Sequence, residues 1–433
     1  MDEPVASTPR RLLAAVALFI LFAGDALRYS LSWWGYGAVT LAVAVAVLVV
    51  LARGGLRWRR IPASLVAIHI VMIGSVAWSH YPGATLLGAI LTAITSATAL
   101  FLAIGLDWRE LIRLVRGVLG VILVGSLLFE LVVATVVRAP LLPLWVDYSH
   151  LDDIPGAFYW SRALLFDGGR IQGIVGNANL LGMLALVGLI VFLAAFASRL
   201  GARGANLAGT GIALLCLSLS GSTTVLVAVA TTAFVVVAAA LIARTQGRAR
   251  VALHLAAMTI AAGAVAVAVR EPLLSLVGRS PDLTNRLTIW ETVSQLAGER
   301  PVAGWGWVGY WNPFVDPFDD LLVFDGVTYL QAHSAWLDVY FQLGALGLIA
   351  LAVLVIGTAV RLWLGAIEAG RPVIDGLLPL ALLAALLAQS LAESRLLVEW
   401  GWAFLVILAL RSTDRLPPPQ DRVSPATEQR AGR

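Results

Sequence analysis

Residues 279–347 begin RSPDLTNRLTIWETVSQLAGERPVAGWGWVGYW (279–311) and end YLQAHSAWLDVYFQLGALG (329–347). This is the longest polar interruption in a chain otherwise made of long apolar runs. It carries Arg279, Arg286 and Arg300, a Trp/Gly cluster (Trp305, Gly306, Trp307, Gly309), and His333 just before a run that turns apolar again. Chemistry concentrates on loops held by a rigid scaffold, and a chain this apolar has little other use for such a segment.

Composition sets the class of that scaffold. Apolar residues make up 60% of the 433 and charged residues only 13%, whereas soluble domains sit at about 45–50% and 25%. The fold class is an all-α polytopic integral membrane protein. Apolar runs long enough to span a bilayer predict about twelve helices, near 12–27, 34–52, 61–79, 84–105, 111–137, 176–197, 206–220, 222–243, 251–269, 335–360, 373–392 and 397–411. They divide the chain into a tail at 1–11, a membrane domain at 12–411 and a disordered tail at 412–433. Loops at about 138–175 and 270–334 face outward, the larger lying before the tenth helix.

Charge orients the bundle. The chain has no Lys, so all 30 basic residues are Arg, and with the N-terminus inside 21 of them fall on the inner side and 9 on the outer. The positive-inside rule therefore predicts a multi-pass plasma-membrane protein with both termini cytoplasmic. The net charge of +4 follows from this orientation and indicates no nucleic acid. The first apolar run after Arg10-Arg11 reads as a retained anchor. A single Cys216 within an apolar run leaves no disulfide framework.

Within the spans, His69 reads as a buried histidine bonded to a neighbouring helix. Glu130, in LLFELVV, requires either a structural partner or a wet cavity. The first outer loop ends in FDGGRIQGIVGNANLLG, where Arg170 precedes a Gly-rich turn and Asn177 and Asn179 open the next span. An Arg beside a helix N-terminus suits an anion, or else is an ordinary surface Arg next to an Asn cap. Ser220-Gly221-Ser222 between two spans serves tight packing or lines a polar pocket.

In the large loop, Leu287, Trp290, Val293 and Leu296 give an amphipathic helix expected to lie on the membrane surface. The aromatics after it, Trp305, Trp307, Tyr310 and Trp311, offer flat surface for stacking on sugar rings or for anchoring at the membrane interface. The acidic run Asp316, Asp319, Asp320 and Asp325 matches no Ca²⁺ loop and reads as solvated. Imidazole is the side chain whose ordinary pKa lies nearest neutrality, which makes His333 a candidate base, or else a surface or capping residue at a helix start. Asp338 sits too far round the following helix to orient it.

Taken in order, these pieces form a pattern: Arg170 with Gly173 and Asn179, Ser220-Gly221-Ser222, Asn285-Arg286-Leu287 with Trp290, Pro301 with Gly304-Trp305-Gly306, then Ala332-His333-Ser334 with Gln342-Leu343-Gly344 and Leu346-Gly347. Over about residues 165–350 the chain resembles the O-antigen ligase/polymerase superfamily of polytopic glycosyltransferases, with Gln342 standing where many members carry Glu. The resemblance implies a GT-C-like fold and an enzyme acting on an undecaprenyl-pyrophosphate-linked glycan donor and a glycan or glycolipid acceptor at the outer leaflet. It implies that Arg170 and Arg286, with Asn179 beside them, hold the pyrophosphate and that His333 activates the acceptor hydroxyl. Trp305, Trp307 and Tyr310 would contact glycan, and neither a metal nor another cofactor is implied.

That chemistry suits the residue types. A pyrophosphate leaving group needs permanent, bidentate positive charge, which Arg supplies better than Lys. The rival class is a flippase for the same lipid-linked saccharide. It calls for repeats and broken midplane helices, neither of which the sequence displays, and the polar chemistry gathers on the outer side.

Overall fold

A computed structural model describes residues 7–54, 61–148, 151–245, 281–324 and 326–413, with isolated positions between 247 and 263. Nearly all of the predicted span at 251–269 and most of the C-terminal tail lie outside the described residues. The rest is a helical bundle in which six helices are long and apolar enough to cross a membrane. These are α1 (Thr8–Gly54), α3 (Pro82–Gly105), α4 (Trp108–Val132, continued by a π-turn to Val137), α5 (Ala178–Ala197), α7 (Thr223–Arg244) and α9 (Ala335–Ala366). Helices α2 (Ala63–Gly74), α6 (Arg203–Ser220), α10 (Leu377–Ser390) and α11 (Glu399–Thr413) are shorter, and α8 (Pro281–Glu299) belongs to the large loop.

Two of the long helices are broken, each for a visible reason. α1 reverses at Ser32, where φ is 72°. A Cβ on Gly24 would lie 3.1 Å from the Tyr36 ring, whereas twelve residues of continuous helix are about 18 Å long. The predicted runs 12–27 and 34–52 are thus the two arms of a hairpin.

α9 breaks at Gly344, where φ is 62°. The break frees the carbonyls of Phe341 and Gln342 and the N–H groups of Ala345 and Leu346. All four bond to the Trp/Gly loop: Trp305 N donates to Phe341 O (3.1 Å), Gly306 N to Gln342 O (2.8 Å), Ala345 N to Pro301 O (2.8 Å) and Leu346 N to Val302 O (3.1 Å). A membrane protein tolerates a broken helix only where its backbone groups are satisfied in this way. The Gln342 side chain adds a clamp. Its Oε1 accepts from Val308 N (2.8 Å) and Gly309 N (3.0 Å), while Nε2 donates to Gly309 O (3.0 Å). Gln342 therefore holds the loop in place.

α5 is buried almost all round, as its unbroken apolar sequence requires, with α4, α6, α7 and α10 packed about it. Polar contacts collect at the two ends of the bundle. One end holds Arg11 with Glu110, Arg116 with Asn206 (2.8 Å) and Trp108 with the Ile374 carbonyl (2.8 Å). The other holds His80 N with Trp305 O (3.0 Å), Leu144 N with Tyr29 O (2.9 Å) and Arg170 with the Ser220 carbonyl (3.0 Å). Segments that the Arg distribution assigns to one side share one end, and those it assigns to the other share the opposite end.

The large loop is folded on its own small core and carries a two-residue antiparallel ladder, β1 (Val323–Phe324) with β2 (Val327–Thr328). Here one expectation is corrected. The face of α8 that is buried runs through Ile289, Val293 and Ala297, packed in a cluster with Trp311, Phe318 and Phe341. Trp290 and Leu296 flank it. Protein contacts cover this face, because the loop supplies enough apolar side chains to bury it.

Candidate functional site

The polar end of the bundle converges on Glu393, in the turn between α10 and α11. Its Oε1 accepts from Arg286 Nη2 (3.1 Å) and Asn179 Nδ2 (3.2 Å), and its Oε2 lies 3.1 Å from His333 Nδ1. The carboxylate is 11% exposed, and Arg286 and His333 are each 17% exposed. Burial pushes the Glu393 carboxyl up, but His333, Arg286 and Arg395 outweigh it and hold the group below the usual carboxylate range.

Each member reaches this point from a different element. Arg286 projects from α8 and also donates to Thr224 Oγ1 at the start of α7 (3.3 Å). Asn179 lies in the first turn of α5, which Asn177 caps by accepting from Asn179 N (2.9 Å) and Leu180 N (3.1 Å). Arg170 donates through Nε to Ser220 O (3.0 Å) and through Nη2 to Asn179 Oδ1. That same oxygen accepts from Ser222 Oγ (2.9 Å). Arg170, Asn179, Glu393 and Arg286 thus form one hydrogen-bonded chain, and two arginines from separate loops share a site. The Ser220-Gly221-Ser222 turn is a tight helix junction and a wall of this site at once. Gly221 sits at φ 53° and Ser222 caps α7.

The Gly-rich turn before α5 is held by Glu130. Its carboxylate accepts from Ser161 Oγ (2.7 Å), Gln172 N (2.9 Å) and Gly173 N (2.7 Å). These bonds answer the question posed by an acid at that depth: Glu130 anchors the loop that presents Arg170. Gly173 is required there, since φ is 60° and a Cβ would fall 2.6 Å from Ser126 Oγ.

His333 has φ 49°, an unusual conformation for a non-glycine residue. The turn that imposes it is fixed by Asp338, which is wholly buried. Asp338 accepts from Ala332 N (3.0 Å), Trp311 Nε1 (2.8 Å) and Ser394 Oγ. Asp338 therefore shapes the backbone around the histidine, and Glu393 orients the ring. A carboxylate only accepts, so Nδ1 carries the proton in this contact and Nε2 is the basic nitrogen of the neutral ring. Nε2 makes no hydrogen bond among the described residues.

The aromatic floor expected from the sequence needs correction. Trp307 has no exposed surface. Its indole N–H donates to Thr92 Oγ1 (2.9 Å) and its backbone N–H to Ser75 Oγ (3.1 Å). It is a core residue, because a large apolar ring with a satisfied N–H is better placed inside the bundle, and it offers no face to a glycan. Trp305 and Tyr310 are half-buried. Each stacks beneath a guanidinium, Arg300 at 4.6 Å and Arg395 at 5.6 Å from the ring centres.

Residues 172–352 match the family model described as O-antigen ligase. Over that stretch the chain is similar to O-antigen ligases. No curated protein matches the chain. The matched stretch is embedded in apolar helices, as expected of a membrane enzyme of polysaccharide biosynthesis. Asn179, Arg286 and His333 lie within the matched residues, Arg170 just before them and Glu393 well beyond. Sequence reasoning missed Glu393, although a signal existed. Between Asp375 and Arg411 the only charged residues are Glu393, Arg395 and Glu399, and ionisable groups in so apolar a segment face partners or function.

Proposed function

We propose that the protein transfers a saccharide from an undecaprenyl-pyrophosphate-linked donor to an acceptor hydroxyl at the outer leaflet, within a twelve-span, GT-C-like fold whose termini are both cytoplasmic. The observation that carries this reading is that Arg286 and His333 share the carboxylate of Glu393. A leaving-group binder and a base are thereby fixed side by side. The acceptor oxygen attacks the anomeric carbon as its proton passes to His333 Nε2. The bond from that carbon to the pyrophosphate oxygen breaks on the opposite face, and its electron pair leaves with undecaprenyl pyrophosphate. The product is inverted at that carbon.

Arg170 and Arg286 supply positive charge where negative charge develops, which lowers the barrier directly. Both guanidiniums are pre-set by bonds to Ser220, Asn179, Thr224 and Glu393, so little reorganisation accompanies the reaction. Glu393 fixes the tautomer of His333 and stabilises the imidazolium once it forms.

The test is transfer by purified protein from a lipid-linked donor to a glycolipid acceptor. His333→Ala should lower the rate by about 10²–10⁴-fold, the usual contribution of general base catalysis, while leaving donor binding intact. A folded His333→Ala protein that transfers at the wild-type rate would remove His333 from the mechanism.

A further inference from the structure

A second cationic pocket lies beside the site, behind Arg170. It is a cavity of about 330 Å³ lined by Ala134, Arg138, Pro140, Arg162, Phe166 and Asp167. Two arginines face it, and among the described residues neither is in an ion pair. Arg138 spends only Nε, on the Thr135 carbonyl (2.8 Å). Arg162 gives Nη2 to the Arg170 carbonyl at 3.4 Å, and its Nε is buried with no hydrogen-bond partner. Asp167 at the same cavity pairs with neither, so the pocket keeps a net positive charge. The two guanidiniums outnumber the one carboxylate of Asp167, which pairs with neither, and the buried Arg162 donor left unsatisfied is costly. An anion with several acceptor oxygens relieves both, and a phosphate fits the planar donor fork of Arg.

The position of the pocket says what carries the phosphate. It sits where α4 ends, and Arg138 closes the π-turn there by donating its backbone N–H to Val133 O (2.7 Å). Below it α4 presents an exposed apolar stripe, Val121, Leu128, Val132 and Val136, the last 74% exposed. Phe166 at the cavity is 69% exposed. A cationic pocket directly above an uncovered apolar helix face matches an amphiphile with a phosphate head and hydrocarbon chains. The geometry points to Arg138 and Arg162 as a binding site for the phosphate group of a membrane lipid. Its chains lie along α4, and its head is one hydrogen bond from the backbone of Arg170. This site stands independently of the transfer reaction, since its test reads lipid binding alone.

The experiment is native mass spectrometry of the purified full chain in neutral detergent. The probes are palmitoyl-oleoyl phosphatidylglycerol, diacylglycerol with the same chains, and inorganic phosphate. The wild type should retain phosphatidylglycerol over diacylglycerol, and Arg138→Gln/Arg162→Gln should weaken that retention by about tenfold. Phe166→Ser, at an exposed residue, should weaken the lipid while leaving both arginines in place. If the double variant does not fold, Arg138→Gln alone, also at an exposed residue, should show a partial loss. Equal retention by wild type and the arginine variants would overturn the site, as would diacylglycerol binding as well as phosphatidylglycerol. Inorganic phosphate that displaces the lipid at millimolar concentration would overturn the claim that the chains contribute.

Discussion

His333 Nδ1 lies 3.1 Å from Glu393 Oε2, although the two residues are sixty positions apart and on opposite sides of α9 and α10 in the chain. The other oxygen of the same carboxylate holds Arg286. One acid therefore fixes the proposed base and the proposed leaving-group binder relative to each other, and its removal should disturb both.

Glu393→Gln keeps the shape and removes the charge. Transfer should fall by about 10–100-fold, typical of losing a group that orients a functional side chain. Because the folded-state pKa of Glu393 is depressed, its stabilising effect is fully present above the unfolded value, about 4.3, and is lost as pH falls through the lower folded value. Thermal melts of the two proteins should differ by about 1–3 kcal/mol at pH 7 and converge in the acid range. A gap that stays constant on acidification would show that Glu393 is not held as the anion.

Arg286→Lys should lower transfer by about 10²-fold or more, the usual effect of losing one pre-set donor at a developing charge. The guanidinium reaches Thr224 and Glu393 at the same time through two nitrogens. An ammonium on a flexible stem cannot hold both and still present a fork to a pyrophosphate. Steady-state transfer rates at saturating donor check this, and near wild-type activity would show that charge alone suffices.

Gly344→Ala tests the stitching of the Trp/Gly loop into α9. A Cβ there would lie 2.3 Å from Val302 C, and φ is 62°. With ψ at −159° the residue lies in a region essentially reserved for glycine, which costs a side chain roughly 1–3 kcal/mol, and backbone must shift in addition. The variant should melt several degrees lower and lose transfer, whereas Gly37→Ala, which meets nothing within 4 Å, should do neither.

Cysteine probes report the orientation. Cysteine at Asp320 or Asp152, both exposed and at the end of the bundle that carries the site, should react with an impermeant thiol reagent in intact cells. Cysteine at Arg109, at the opposite end, should react only after lysis. The native Cys216 is buried and contributes no background. The reverse pattern would invert the proposed topology.

The amino-acid sequence by itself determined the membrane class and the alternation of loops between two ends, and it singled out Arg170, Arg286 and His333, which the fold brings to one hydrogen-bonded cluster. Those properties are local: apolar run length, Arg spacing, and residue types beside turns. It gave no account of why Gln342 should interrupt an apolar helix, because its partners Val308 and Gly309 lie in a loop that reaches it only through the break at Gly344. It placed Trp307 on a glycan surface, because tryptophan has the same signature in a loop whether it faces solvent or the core. Only the tertiary structure decided that. It also decided that Glu393, rather than the nearer Asp338, orients His333. A carboxylate four residues along a helix from an N-cap points back into the turn. A partner for the imidazole ring had to arrive from the turn between α10 and α11, at a distance along the chain that no spacing rule encodes.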